Sequence, residues 1–361
     1  PGLRGFRPTD ASMAPDCHQH EADPPARPGG FPTVACPQQA FGGTEPASEA
    51  LPGPVLGDDC WILSGPTASG KTALSLLLAR RLEAEIVSVD SMAVYKGLDI
   101  GTAKPTPAQR GDVPHHLVNV VDPGEIYTVA RWLTDAAAAV EACRSRGKRI
   151  LFVGGTPLYL RALRDGLDPQ PEGDPDLRRR LEEEGRHGGI GLLHDRLAAA
   201  DAAAAARIHP HDARRIIRAL EVVQTTGRPL PSSWGSPRPP HPIFSRQMLV
   251  LDQPRRTLRE RIDRRVEQMF AEGIVEETQA AAGRPGGISA TARQAAGYAE
   301  VLDMLAGQLS LAQAIDRTKQ RTRQLAKRQL TWLRSFKSAI WLGALVRSLN
   351  GGDDNTDHNR F

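Results

Sequence analysis

Hydrophobic positions along the chain change period several times. Short continuous apolar runs at 61–63, 85–89 and 149–153 alternate with helix-period stretches at 73–82 and 128–146. Continuous apolar strands separated by helices predict a parallel sheet covered on both faces. Between about 167 and 212 the pattern becomes all-helical, after a Pro/Gly/Asp-rich entry at 168–175. That reads as a helical insertion subdomain. A proline-rich linker at 230–242 leads to a strand-like run at 247–251, and the chain is then mainly helical to about Trp341. Residues 1–57 hold 19 Pro or Gly and no sustained apolar period. Such a segment cannot bury enough surface to offset its ordering entropy, so a disordered tail is expected there, with a second tail over 342–361. The first residue is Pro1, so the sequence start is not taken as the biological one. The expected fold is therefore α/β, a parallel sheet flanked by helices (58–166), with the helical insertion (167–212) and a mainly helical C-terminal part that completes the core (213–341).

Composition changes this picture little. The 361 residues are 40% hydrophobic and 24% charged, as in a globular protein, and the net charge of +4 permits a polyanionic partner without requiring one. No run of 18 apolar residues exists, so no membrane span and no membrane partner are expected. Cys17, Cys36, Cys60 and Cys143 are scattered and form no C-x-x-C pair, which suggests reduced thiols in a cytoplasmic protein. Cys17-His18-Gln19-His20 resembles a metal tract only superficially, because it lies in the expected tail.

The chemistry begins after the first strand. Gly65-Pro66-Thr67-Ala68-Ser69-Gly70-Lys71-Thr72 stands between a strand and a helix. In such a loop glycines let backbone N–H groups point at phosphate oxygens, Lys71 adds a positive charge, and the Thr72 hydroxyl can hold Mg²⁺. The pattern makes the expected α/β sheet P-loop NTPase-like, but it does not say which phosphate. The strand at 86–90 ends in Asp90, whereas the strand at 150–153 ends in Gly154-Gly155-Thr156 with no acid. Ligands of an open parallel sheet bind at the carboxyl ends of its strands, so Lys71, Asp90 and Thr156 should converge. On spacing alone Asp90 could equally organise Mg²⁺ or cap a helix. From Arg317 to Lys337 the chain has eight Lys or Arg and no acid, with Leu330, Leu333, Phe336 and Ile340 as the buried stripe. An ordinary exposed helix mixes signs, so this one is expected to track phosphates with Arg321, Arg323 and Lys327.

These residues also carry a family resemblance. The P-loop, Ser88-Val-Asp-Ser-Met-Ala-Val-Tyr95, Asp99-Ile-Gly-Thr-Ala-Lys-Pro105, Pro114-His-His-Leu117, Gly154-Gly-Thr-Pro-Leu-Tyr159, Arg218-Ala-Leu-Glu-Val222, Gln294-Ala-Ala-Gly-Tyr298 and Thr322-Arg-Gln-Leu-Ala-Lys-Arg-Gln-Leu-Thr-Trp332 are similar, in content and order, to motifs of the tRNA dimethylallyltransferases. The similarity spans about 59–341. It implies transfer of a dimethylallyl group from dimethylallyl diphosphate to N6 of the adenosine following the anticodon. The P-loop, including Thr67, Ala68 and Ser69, would then hold a diphosphate leaving group, with Mg²⁺ as cofactor and Thr72 its ligand. The resemblance makes Asp90 the general base beside Thr156, and it places Arg215 and Arg265 near the reacting groups. For the tRNA anticodon stem-loop it points to Asp90, Ser91, Met92 and Ala93, to Arg178, Arg214, Arg215 and Arg218, and to Arg293, Gln294 and Gly297. One chain is expected to grip one tRNA as a monomer. Ala93 and Ala299 depart from the Gln and Lys common in the family. His115 and His116 read as structural hydrogen-bonding residues. Competing readings are a P-loop small-molecule kinase, prenyl transfer to a free adenine nucleotide, and a non-catalytic RNA-binding protein.

Overall fold

The computed structural model describes residues 55–168, 171, 173–232, 234 and 243–343. The tail expected over 1–57, apart from its last three residues, lies outside them, as do the Cys17–His20 tract, much of the proline-rich linker and residues 344–361.

The elements follow the alternation read from the sequence. In chain order they are β1 (Cys60–Ser64), α1 (Lys71–Leu82), β2 (Ala84–Ser88), α2 (Pro107–Arg110), β3 (His115–His116), α3 (Val129–Ser145), β4 (Arg149–Val153) and α4 (Pro157–Asp165). Next come α5 (Pro175–Gly188), α6 (Ile190–Ala200), α7 (Ala202–Arg207), α8 (Ala213–Thr226), α9 (Ile243–Arg246) and β5 (Met248–Val250). The chain closes with α10 (Arg255–Ala271), α11 (Ile274–Ala282), a 3₁₀ turn at Ala292–Gln294, α12 (Tyr298–Leu305), α13 (Leu311–Leu333) and β6 (Ile340–Trp341). The strands form one sheet in the order β3-β2-β4-β1-β5-β6, and every described pairing is parallel.

Strand alternation sorts the core into two faces. Ile62, Val87 and Phe152 pack with Trp132 of α3 and Tyr159 of α4, while Leu63, Ile86 and Leu151 pack against α1. Trp132 is fully buried, stacks on Tyr159 at 4.3 Å between ring centres and donates its indole N–H to Ser88 O at 3.0 Å. A buried indole needs such a partner, and this one anchors α3 to the end of β2.

Three boundaries differ from the sequence reading. Val55 and Leu56 are buried in the main core, and Val55 O accepts from Arg144 at 3.4 Å, so the folded body begins before residue 58. Two apolar residues were too short a signal among the surrounding prolines. The helical insertion does not stop at 212, because α8 shares its core with α5, α6 and α7 through Ile216, Ala219, Leu220 and Leu230. Asp201 fastens that unit, accepting from Ala204 N at 2.9 Å to cap α7 and from Leu230 N at 2.8 Å. Finally, α13 ends at Leu333. Leu330, Leu333 and Phe336 are buried as expected, but Ile340 is exposed, because it lies in β6 and pairs with Leu249 rather than continuing a helix. Leu342, assigned to the C-terminal tail, donates to Val250 O at 2.8 Å and packs on the α1 face, so the core runs past 341.

Candidate active site

The loop between β1 and α1 has the backbone its glycines predict. Gly70 has φ +98°, and a Cβ on Gly65 would meet Leu251 O at 2.7 Å and Ser69 Oγ at 2.9 Å. Both positions therefore exclude side chains, one by conformation and one by space. Lys71 folds back so that Nζ donates to Gly65 O at 2.9 Å and Pro66 O at 2.7 Å. The Ser69 hydroxyl is buried and, among the described residues, is the one buried side-chain oxygen or nitrogen with no hydrogen-bond partner. A buried hydroxyl left unpaired in a phosphate loop is suited to an oxygen of a bound ligand.

The strand ends bring Asp90 and Thr156 to this cradle. Asp90 follows β2 and holds its own turn, with Oδ1 accepting from Met92 N at 2.8 Å. Thr156 follows β4: its Oγ1 accepts from Ser91 N at 3.0 Å, and its N–H donates to Val89 O at 3.2 Å. Close approach explains the Gly-Gly before it. A Cβ on Gly154 would fall 2.2 Å from Val89 O, and one on Gly155 would fall 2.7 Å from Gly65 O. An acid at either position would push the strand ends apart.

Arg265 of α10 reaches the same place, with Nη1 donating to Thr67 Oγ1 at 3.4 Å. Burial pushes the Lys71 ammonium down to about 8; the Asp90 charge opposes this shift and Arg265 adds to it. Burial likewise lowers Arg265, again opposed by Asp90. Two cations and one carboxylate thus share a low-dielectric pocket, where a cation is costly until an anion arrives. Thr72 is exposed in the first turn of α1, and its hydroxyl makes no hydrogen bond among the described residues, so it is free to serve as a ligand of a hard cation.

Two glutamines here escaped the sequence reading. Gln329 of α13 is buried; its Oε1 accepts from Thr67 N at 2.8 Å, and its Nε2 donates to Gly155 O at 2.9 Å. Gln253 donates to Ser69 O at 3.4 Å. The signal for Gln329 was present: it interrupts the apolar stripe of Ala326, Leu330 and Leu333 with a polar side chain.

The expected RNA-contacting residues divide. Arg214, Gln294, Arg317, Gln320, Arg321, Gln324 and Arg328 line a cleft of about 560 Å³ between α8 and α13. Arg317, Lys327 and Arg328 are exposed and carry no ion pair among the described residues. Arg323 instead pairs with Asp263 (Nε to Oδ1, 2.7 Å), Arg321 with Glu300 at 3.0 Å and Lys319 with Glu267 at 2.6 Å. The acids missing from residues 317–337 are supplied by α10 and α12, so the one-sided charge of this run does not by itself mark a phosphate-tracking face. Arg178 and Arg218 both bind the fully buried carboxylate of Glu221, at 2.7 and 2.8 Å, and so hold the helical unit together. Arg215 pairs with Asp212 at 3.4 Å and Arg293 with Asp303 at 2.8 Å. No hydrogen bond or ion pair joins Arg215 to the cradle. Ser91 and Met92 are half-buried at the strand end, but the Ala93 side chain is buried and its carbonyl accepts from Asn119 N. Gly297 is buried with φ +105°, and its N–H is taken by Glu300 at 2.9 Å.

His115 and His116 lie in β3 and make the structural bonds expected of them, to Val113 O at 2.8 Å and to Glu85 at 2.6 Å. The ligand atoms of Glu85, His116 and Cys143 lie within 4.8 Å of one another. Arg146 already sets its guanidinium 2.7 Å from Glu85, so this buried carboxylate is neutralised without an ion. Cys60 and Cys143 are free and buried. No helix among the described residues is long and apolar enough to cross a membrane.

Comparison with known proteins places this geometry. Residues 93–336 match the family described as IPP transferase, and residues 59–113 match isopentenyl transferase. The chain is 47% identical over 283 residues to the tRNA dimethylallyltransferase of Geobacter metallireducens, covering 78% of this chain and 91% of that protein. It is 50% identical over 284 residues to that of Alkalilimnicola ehrlichii, covering 78% and 89%. Among solved structures it resembles the full-length tRNA isopentenylpyrophosphate transferase of Bacillus halodurans, with TM-score 0.56, 40% identity and coverage of 78% and 88%. It also resembles a eukaryotic dimethylallyltransferase captured acting on tRNA, with TM-score 0.63, 29% identity and coverage of 79% and 74%.

Proposed function

This chain belongs to the tRNA dimethylallyltransferase (IPP transferase) family, and from that premise we propose how its residues divide the work of moving a dimethylallyl group onto tRNA. The enzyme transfers a dimethylallyl group to its tRNA substrate. The acceptor in our reading is N6 of the adenosine that follows the anticodon, and the donor is dimethylallyl diphosphate.

The observation that carries the assignment is the convergence of Lys71, Arg265 and Asp90 at one set of strand ends. The diphosphate sits on the P-loop N–H groups, with Ser69 Oγ donating a hydrogen bond and Lys71 and Arg265 neutralising its oxygens. As the donor C1–O bond breaks, negative charge grows on the leaving oxygen, and these fixed cations stabilise it more than they stabilise the ground state. The adenine lone pair forms the new N6–C1 bond. Asp90 accepts the N6 proton, and Thr156 keeps the Asp90–Ser91 turn in place through the Ser91 N–H. The base must leave the anticodon-loop stack to reach this carboxylate. Thr72 would be the residue that holds Mg²⁺, which would supply further neutralisation of the leaving group's charge.

Exposed Arg317, Lys327 and Arg328, with Arg214 and Gln294 across the cleft, form the surface assigned to the anticodon stem-loop. The same reading places the protein in the cytoplasm and has it act as a monomer. The test is incubation with labelled dimethylallyl diphosphate and unmodified tRNA whose anticodon is followed by adenosine. Label on that adenosine is the expected outcome; label on free adenine nucleotide, or none on RNA, would overturn the reading.

A further inference from the structure

We infer that Gln329 is a positioning residue that couples tRNA docking on α13 to diphosphate binding in the P-loop, an inference that rests on the function proposed above. Its amide spans both halves of the site. The oxygen fixes the Thr67 peptide, 262 positions away in sequence, and the nitrogen fixes the Gly155 carbonyl, 174 positions away. On the donor side, Thr67 carries the hydroxyl that receives Arg265. On the acceptor side, Gly155 precedes Thr156, whose hydroxyl holds the Ser91 N–H beside Asp90.

The amide serves both partners at once. Thr67 N–H needs an acceptor and Gly155 O needs a donor, and at this buried position water does not substitute freely. The fit is tight as well, since a Cβ on Gly155 would lie 2.7 Å from Gln329 Nε2. Gln329 follows Arg328, which lines the cleft, and both ride on one continuous helix. A phosphate drawn onto Arg317 and Arg328 therefore bears on the helix that sets the Thr67 and Gly155 peptides. Conversely, a diphosphate that orders the loop fixes Gln329 and hence α13. Linkage makes the effect reciprocal.

The experiment measures the dissociation constant of unmodified tRNA with and without saturating inorganic diphosphate. Wild-type protein should bind tRNA about five-fold or more tighter with diphosphate present, the lower end of ordinary coupling. Gln329→Met should bring that ratio to within about two-fold of unity while tRNA affinity without diphosphate changes little. Arg214→Gln, across the cleft on α8 and so off the helix that carries Gln329, should weaken tRNA binding in both conditions and keep the ratio. If Gln329→Met does not fold, Gln329→Asn keeps the neutral amide but is one methylene too short to hold the Thr67 and Gly155 peptides at once; it too should lose the ratio. A merely structural glutamine would lower melting temperature and leave the ratio intact, and that result overturns the inference, as does a wild-type ratio near unity. Absence of label transfer by wild-type protein would sink the proposed function and this inference together; transfer with an unchanged ratio would sink this inference alone.

Discussion

The guanidinium of Arg323 on α13 is held by the carboxylate of Asp263 on α10, with Nε 2.7 Å from Oδ1. Both side chains are about one-third exposed or less. This pair separates the cations of α13 into those that hold helices together and those that face the cleft. Replacing Arg317 and Arg328 by Gln should make the log–log salt dependence of tRNA binding shallower by about 0.9 per lost duplex contact, and binding titrations at several salt concentrations would read it. Arg323→Gln should leave that slope unchanged and lower stability by about 1 kcal/mol, a solvent-screened value, in denaturant unfolding. A shallower slope for Arg323→Gln would mean that the pair opens to RNA.

Asp90→Asn preserves the shape of the turn and removes the proton acceptor. Single-turnover transfer at saturating tRNA should fall by roughly 10²–10⁴, with tRNA affinity within a few-fold of wild type. Near-normal turnover would remove Asp90 from the role of base.

Lys71 gives a pH dependence with a definite sign. In the donor-free protein its ammonium is pushed down to about 8, and a bound diphosphate favours the protonated form. Binding therefore takes up a proton above that pH. The dissociation constant of an unreactive donor analogue should rise about ten-fold per pH unit above pH 8, until the pKa of the complex is reached. Lys71→Ala should weaken binding at all pH values and flatten this rise. A flat wild-type profile would show that Lys71 stays charged in the free enzyme.

Glu85 gives the stability of the fold a pH dependence of its own. Arg146, with His116, holds its carboxyl down to about 2. Because the folded value lies below the unfolded one, the stabilisation is complete above the usual carboxylate range and is lost as pH falls through about 4.5 toward 2. Acid unfolding of Glu85→Gln should lack this component, on the order of 2 kcal/mol after allowing for the half-exposed Arg146. Identical acid profiles for the two proteins would refute it.

Leu56 tests where the folded body begins. Leu56→Ala should cost about 2–4 kcal/mol in thermal or denaturant unfolding, as for other buried leucines. A chain starting at Asp58 should be destabilised by at least as much, because it also loses Val55 and one of the acceptors of Arg144. An unchanged midpoint would return these residues to the tail.

Local pattern determined much of this protein. Apolar runs gave β1, β2, β4 and β5, the P-loop spacing gave the cradle, and strand-end positions singled out Asp90 and Thr156. Each is a property of a few consecutive residues, set by strand period, glycine conformation and the direction of a parallel strand. The ordered motifs carried the family. Tertiary structure alone decided which charges are free. The acid-free run on α13 draws Asp263 and Glu267 from α10 and Glu300 from the neighbouring α12, and Arg178 and Arg218 converge on Glu221. It alone decided that Gly154 and Gly155 are glycines because the Val89 and Gly65 carbonyls leave no room for a Cβ. It also placed the Gln329 amide between two loops more than 80 residues apart. Ion pairs and close approaches of this kind depend on which surfaces meet, and that is fixed only when the whole chain packs.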